Sequence, residues 1–220
     1  NSGSGQDDEQ HLKEINIEGF WMMATEVTRA AYAEFIHQQS YSYEKGCWVH
    51  EGGWIKRNNL DWQNPGFVQD ENHPVTCVSW DDVQAFIAWL NSQSSYQFRL
   101  PTEAEWEFAT RAGSDTIYFF GESPSRLCEF ANAADISSLQ DYPEFSVNDC
   151  DDGYVRTSPV GKFKTNPHGL HDVYGNVWEW VEDCWSSDYK TLAIDGSANL
   201  SGDCQRRGFR GGGYGDIPHF

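Results

Sequence analysis

The stretch Gly169-Leu170-His171-Asp172-Val173-Tyr174-Gly175-Asn176-Val177-Trp178-Glu179-Trp180 decides how this chain is read. It crowds glycine, asparagine, two carboxylates and two tryptophans into one short segment. A tight turn at Tyr174-Gly175-Asn176 brings the Asp172 and Glu179 carboxylates near backbone carbonyls, and a shell made only of oxygen suits a hard cation such as Ca²⁺. The plain alternative is an apolar strand from Val177 to Val181 whose Glu179 is exposed or paired with an arginine. No EF-hand spacing is present.

The 220 residues suffice for one well-buried domain or two small ones, and one is expected. Ten tryptophans and an apolar content of 39% describe a folded chain, while twenty glycines point to a turn-rich one. The formal net charge of −19 opposes nucleic acid and anionic lipid as partners, since both need basic patches. Six cysteines fall as sequence-local pairs, Cys47/Cys77, Cys128/Cys150 and Cys184/Cys204, which suggests loop staples and an oxidising compartment. Proximity alone motivates that pairing, because six cysteines permit fifteen connectivities. There is no zinc-ligand spacing, signal peptide or transmembrane run, so no membrane insertion is expected. Residues 1–12, opening Asn1-Ser2-Gly3-Ser4-Gly5, read as a linker or expression remnant.

Ile15 to Met23 alternates as a strand would, and Thr28 can cap a helix over Arg29 to Gln38. Cys47 to Asn72 lacks a helical period and is expected to form a long stapled loop. Ser79 and Asp82 resemble a capping box for a second helix, with a stripe of Val83, Phe86, Ile87 and Leu90 ending near Asn91. Thr102 and Glu105 cap a third, which should bury Trp106 and Phe108 and stop at Gly113. Short strands are expected at Ile117–Phe120, Ser158–Val160, Val177–Val181 and Gly208–Gly212. The fold class is α+β.

Common hydrolase, P-loop and dinucleotide motifs are absent. His73, before Pro74, suits a turn. His168 and His171 could meet a metal or simply make a polar contact. Trp48, Trp54 and Trp62 suit either a binding face or the core.

Four ordered segments carry more: Pro74-Val75-Thr76-Cys77-Val78-Ser79-Trp80, Arg99-Leu100-Pro101-Thr102-Glu103-Ala104-Glu105-Trp106-Glu107, Gly175 to Trp180, and Arg207-Gly208-Phe209-Arg210-Gly211-Gly212-Gly213-Tyr214. Together they resemble the formylglycine-generating enzyme, or sulfatase-modifying-factor, family over about Ile15 to Tyr214. The resemblance implies a variant of the C-type lectin fold, with two or three helices around short mixed strands and much irregular chain. It also implies one calcium held by Asp172, Gly175, Val177 and Glu179. A second would be held by Asn132, Ala133, Asp152 and Tyr154. One domain over residues 13–220 is expected, without the family's usual final G-F-R strand.

Active family members oxidise a substrate cysteine with O₂ and a copper(I) ion gripped by two thiolates. The first thiolate lies two residues beyond the aromatic of the R-G-G-[ST]-[WY] signature. Asp216 stands there, and a carboxylate is a poor ligand for soft Cu(I). The second position falls just past Phe220. The resemblance therefore implies a non-catalytic, calcium- and disulfide-stabilised binding or regulatory domain of an exported protein, periplasmic or extracellular. Relatives of that sort include ligand-binding variable proteins of diversity-generating retroelements and periplasmic regulators. The expected surface for a protein or small ligand is Tyr214, Asp216, Ile217, His219 and Phe220. The alternative is an active copper oxidase acting on a protein cysteine.

Overall fold

The structure is a computed structural model that describes residues 14–51, 53–186, 193–201 and 203–216. Ile217, His219 and Phe220, expected at the ligand surface, lie outside the described residues, as does the whole of the expected linker, residues 1–12. The chain forms two compact units, one of residues 26–99 with 158–160, the other of residues 14–25, 100–157 and 161–216.

The smaller unit holds helices α1 (Arg29–Gln39) and α2 (Trp80–Gln93) and a hairpin of β1 (Cys47–His50) and β2 (Trp54–Arg57). Thr28 caps α1, its hydroxyl accepting from Ala31 N at 3.2 Å. Ser79 and Asp82 close a reciprocal capping box on α2. Tyr32, Phe35, Trp62 and Phe86 form the core, with Tyr32 and Trp62 edge to face at 5.3 Å. Trp62 is thus a core residue, whereas Trp48 and Trp54 are exposed on the hairpin. The hairpin corrects the expectation of a structureless loop: Trp48 pairs with Lys56 and His50 with Trp54 in antiparallel register. The Cys47–Cys77 bond ties it to the segment before α2. His73 serves its turn as expected, its Nδ1 lying 2.8 Å from Asp70 Oδ1.

The larger unit holds α3 (Glu103–Arg111), two short 3₁₀ helices (Pro124–Glu129 and Ile136–Gln140), and the antiparallel pair β3 (Glu179–Trp185) and β4 (Asp203–Arg210). Thr102 and Glu105 form the expected capping box, and the left-handed Ala112 ends α3 just before Gly113. Trp106 is buried, but Phe108 is 52% exposed and meets the rings of Phe20 and His168, which corrects its assignment to the core. Asp183 anchors α3 to β3 by accepting from Glu103 N at 2.8 Å. The core gathers Leu127, Ala131, Leu170, Val173 and Tyr174. Cys128–Cys150 and Cys184–Cys204 complete the three expected disulfides.

Several expected strands do not form as read. Ile15 to Met23 is irregular, with Trp21 and Met23 exposed, so its alternation faces no sheet. Ile117–Phe120 folds instead around an isolated bridge between Tyr118 and Gly121. Ser158–Val160 is also irregular. The last two strands are displaced, because Asn176 at φ 61 precedes β3, while Gly211 and Gly212, at φ 97 and 78, break the extended chain after β4.

Candidate functional site

The residues of the first expected calcium site share one clamped turn. Asp172 and Asn176 both adopt left-handed conformations, at φ 58 and 61. Gly175 N donates to Asp172 O at 3.2 Å between them. A Cβ on Gly175 would stand 2.0 Å from Asn132 O, so only glycine lets the two backbones approach. Asn176 N donates to that same carbonyl at 2.6 Å, and Asn176 Oδ1 accepts from Asn132 Nδ2 at 3.3 Å.

The oxygen donors face inward from this clamp. Asp172 is buried, its Oδ2 accepting from Gly161 N at 2.8 Å, and Glu179 Oε2 accepts from Trp106 Nε1 at 3.1 Å. Gly211 borders both donors: the point where its Cβ would stand lies 3.7 Å from Val177 O and 3.8 Å from Glu179 Oε1, so the two oxygens share one neighbourhood. Burial pushes the Glu179 carboxyl up to about 7, partly offset by the Trp106 bond and reinforced by the Asp172 charge. The buried Asp172 and half-buried Glu179 carboxyl groups, with the Val177 carbonyl close by, form a donor set suited to a hard divalent cation.

The second expected set is also brought together. Asn132 is fully buried, and its Nδ2 donates to Arg156 O at 2.8 Å, yet its Oδ1 is buried with no hydrogen-bond partner. Such an orphan acceptor costs free energy unless a cation or water meets it. Asp152 accepts from Tyr154 N at 2.8 Å and from Ala133 N at 3.1 Å. Burial pushes its carboxyl up to about 7; the Tyr154 hydrogen bond opposes the shift and the nearby charge of Asp135 adds to it.

Asp135 was not anticipated. It is buried, its Oδ1 accepts from Ser137 N at 2.8 Å, and its Oδ2 accepts from Asp152 N. The one local signal for it is the cap pattern Asp135-Ile136-Ser137-Ser138, which the structure uses to start the second 3₁₀ helix. Ligand atoms of Cys128, Asp135 and Asp152 lie within 4.8 Å of one another, but Cys128 is disulfide-bonded, so the available donors are oxygens. The two expected histidines make ordinary contacts: His171 Nδ1 lies 2.7 Å from Phe163 O, and the His168 ring lies tilted against Phe108 with centroids 5.7 Å apart.

Tyr214 N donates to Asn176 O at 3.0 Å and so hangs the following turn on the first clamp. In that turn Asp216 Oδ2 accepts from Gly213 N at 2.7 Å, and the Trp178 indole also donates to the carboxylate. Burial raises the Asp216 carboxyl against these two bonds. The ring of Tyr214 lies 5.9 Å from the Arg156 guanidinium. No thiol is available beside Asp216, because all six cysteines are in disulfides. These donors do not fit the two-thiolate grip that Cu(I) needs.

A family model described as the sulfatase-modifying factor enzyme 1-like domain matches residues 1–220. The chain belongs to this family. The formylglycine-generating enzyme of Mus musculus is 30% identical over 214 residues, covering 82% of this chain and 53% of that protein. The inactive C-alpha-formylglycine-generating enzyme 2 of Bos taurus is 28% identical over 240 residues, covering 90% of this chain and 74% of that protein. Several of the curated relatives, including the mouse enzyme, are spanned over only about half their length. Among solved structures, PvdO from Pseudomonas aeruginosa superposes with a TM-score of 0.72 at 28% identity, covering 90% of this chain and 69% of PvdO. The fold is accordingly the mixed α+β, C-type lectin-like architecture of the sulfatase-modifying-factor family.

Proposed function

We propose that this family member is a non-catalytic, calcium- and disulfide-stabilised binding or regulatory domain of an exported protein, of the variable-protein or periplasmic-regulator kind. One observation carries the reading: Asp216 stands at the first copper position while every cysteine of the chain is in a disulfide. Calcium, when bound, supplies the positive charge that buried carboxyl groups need, held by Asp172, Gly175, Val177 and Glu179, with a second ion at Asn132, Ala133, Asp152 and Tyr154. Three disulfides support an oxidising compartment, and no described helix is long and apolar enough to cross a membrane. The partner, a protein or small ligand, is placed on the surface around Tyr214 and Asp216, and the net charge of −19 disfavours nucleic acid.

Family membership favours one competing reading, copper-dependent oxidation of a protein cysteine. A single assay separates the two. Copper(I) is titrated into the chain with a cysteine-containing sulfatase peptide under air. The non-catalytic reading expects no tight copper binding and no aldehyde on the peptide, and aldehyde formation would overturn it.

A further inference from the structure

Asp216 is rigidly mounted and short of a cation. Its N–H donates to Gly213 O at 3.0 Å, its Oδ2 accepts from Gly213 N at 2.7 Å, and its carbonyl accepts from Ala134 N at 3.0 Å. With the Trp178 bond, these contacts fix the carboxylate while leaving accepting capacity to spare. Among the described residues Asp216 has no ion-pair partner, and it is partly buried, a placement that is unfavourable for an unpaired carboxylate. Arg156, a cation on the Tyr214 side, is engaged elsewhere: its Nη2 donates to Asp141 Oδ2 at 2.8 Å and its guanidinium lies 4.6 Å from the Tyr142 ring centroid.

Trp178, one of two contacting water-exposed rings, stands beside this carboxylate. Trp178 is 45% exposed and Phe209 50%, and they meet edge to face with centroids 4.9 Å apart at 82°. A Cβ on Gly213 would lie 3.3 Å from Asp216 Oδ2 and 3.6 Å from Trp178 Nε1, so the indole and the charge belong to one patch. Aromatic faces attract cations, and a chain of net charge −19 draws them from solution.

We propose that Asp216, Trp178 and Phe209 form a binding site for an organic cation, an ammonium or guanidinium group whose charge meets the carboxylate while its apolar stem lies against the rings. The inference rests on the non-catalytic reading above and names the ligand chemistry of its surface. A lysine or arginine side chain of a polypeptide and a free amine share that chemistry.

The test uses the full chain with calcium present and nitrogen-15 in the indoles, with the Trp178 signal assigned through Trp178→Phe. The probes are n-butylammonium, the capped peptides Gly-Lys-Gly and Gly-Arg-Gly, and neutral n-butanol. The cations should shift the Trp178 indole signal saturably and butanol should not. Asp216→Asn should weaken binding about tenfold or more, as loss of a charge-assisted contact does. Phe209→Ala should weaken it about threefold to tenfold. Tighter binding of the peptides assigns a polypeptide source, and equal binding assigns a small amine; both support the cation class. No saturable shift, equal shifts by butanol and butylammonium, or undiminished binding by Asp216→Asn would overturn the inference. Calcium-dependent melting of the same samples verifies that each variant is folded. If that melting shift persists while cation binding fails, only this inference falls, whereas aldehyde formation in the copper assay strikes the non-catalytic reading itself.

Discussion

Gly175 and Gly169 differ in what a methyl group would meet. At Gly175 a Cβ would collide with the Asn132 carbonyl at 2.0 Å, whereas Gly169, at φ 82, has open space around it. Gly175→Ala should therefore lose about 3 kcal/mol through overpacking of the clamp, and Gly169→Ala about 1 kcal/mol through backbone strain alone. Urea denaturation of the two variants measures the contrast, and equal losses would show that the clamp is not tight. Asp216 gives a pH prediction of definite sign. Burial raises its folded pKa above the ordinary 3.8. The native state then holds the proton more tightly than the unfolded chain, so this residue's favourable contribution is complete below 3.8 and declines as pH rises through the folded value. The stability difference between the parent chain and Asp216→Asn should change in that direction between acid and neutral pH. A difference flat with pH would contradict it.

The helices were legible because their signals are local. Thr28, Ser79 and Thr102 each sit where a hydroxyl can accept from the first turn, and all three do so. Thr102 also donates from Oγ1 to Gly196 O at 2.8 Å, tying the cap of α3 to the loop before β4. Thr102→Ala should lower stability by about 1–2 kcal/mol, measured by thermal or urea unfolding; a neutral outcome would mean that the cap is replaced. Strands were less legible. Ile15 to Met23 has the alternation of a strand without a partner, while the hairpin at Cys47–Arg57 has a partner without a clear alternation. Pairing is decided by contacts distant in sequence, which a local period does not contain. The exposure of Phe108 has the same origin, since its face of α3 is covered by nothing that the helix itself encodes.

At the scale of the molecule, each of the two units has its own hydrophobic core, and disulfides pin the longer loops. The oxygen donors were legible through the family motifs, because Asp172, Gly175, Val177 and Glu179 are close in sequence. The Asn132–Asn176 clamp spans 44 residues, and Asp135 meets Asp152 across 17, so neither contact was visible locally. These long-range contacts converge on polar groups buried at a cost that only a cation or equivalent partner offsets: the orphan Asn132 Oδ1, the raised Glu179 and the raised Asp152. We propose that calcium completes this scaffold.

The most direct measurement is the melting temperature of the intact, disulfide-bonded chain in excess calcium and after chelation. Occupancy at about 100 times the dissociation constant contributes about 2.7 kcal/mol per site, so chelation should lower the melt by about 5–10 °C for each occupied site. Asp172→Asn and Glu179→Gln should shrink that shift. An identical melt with and without calcium would contradict the account.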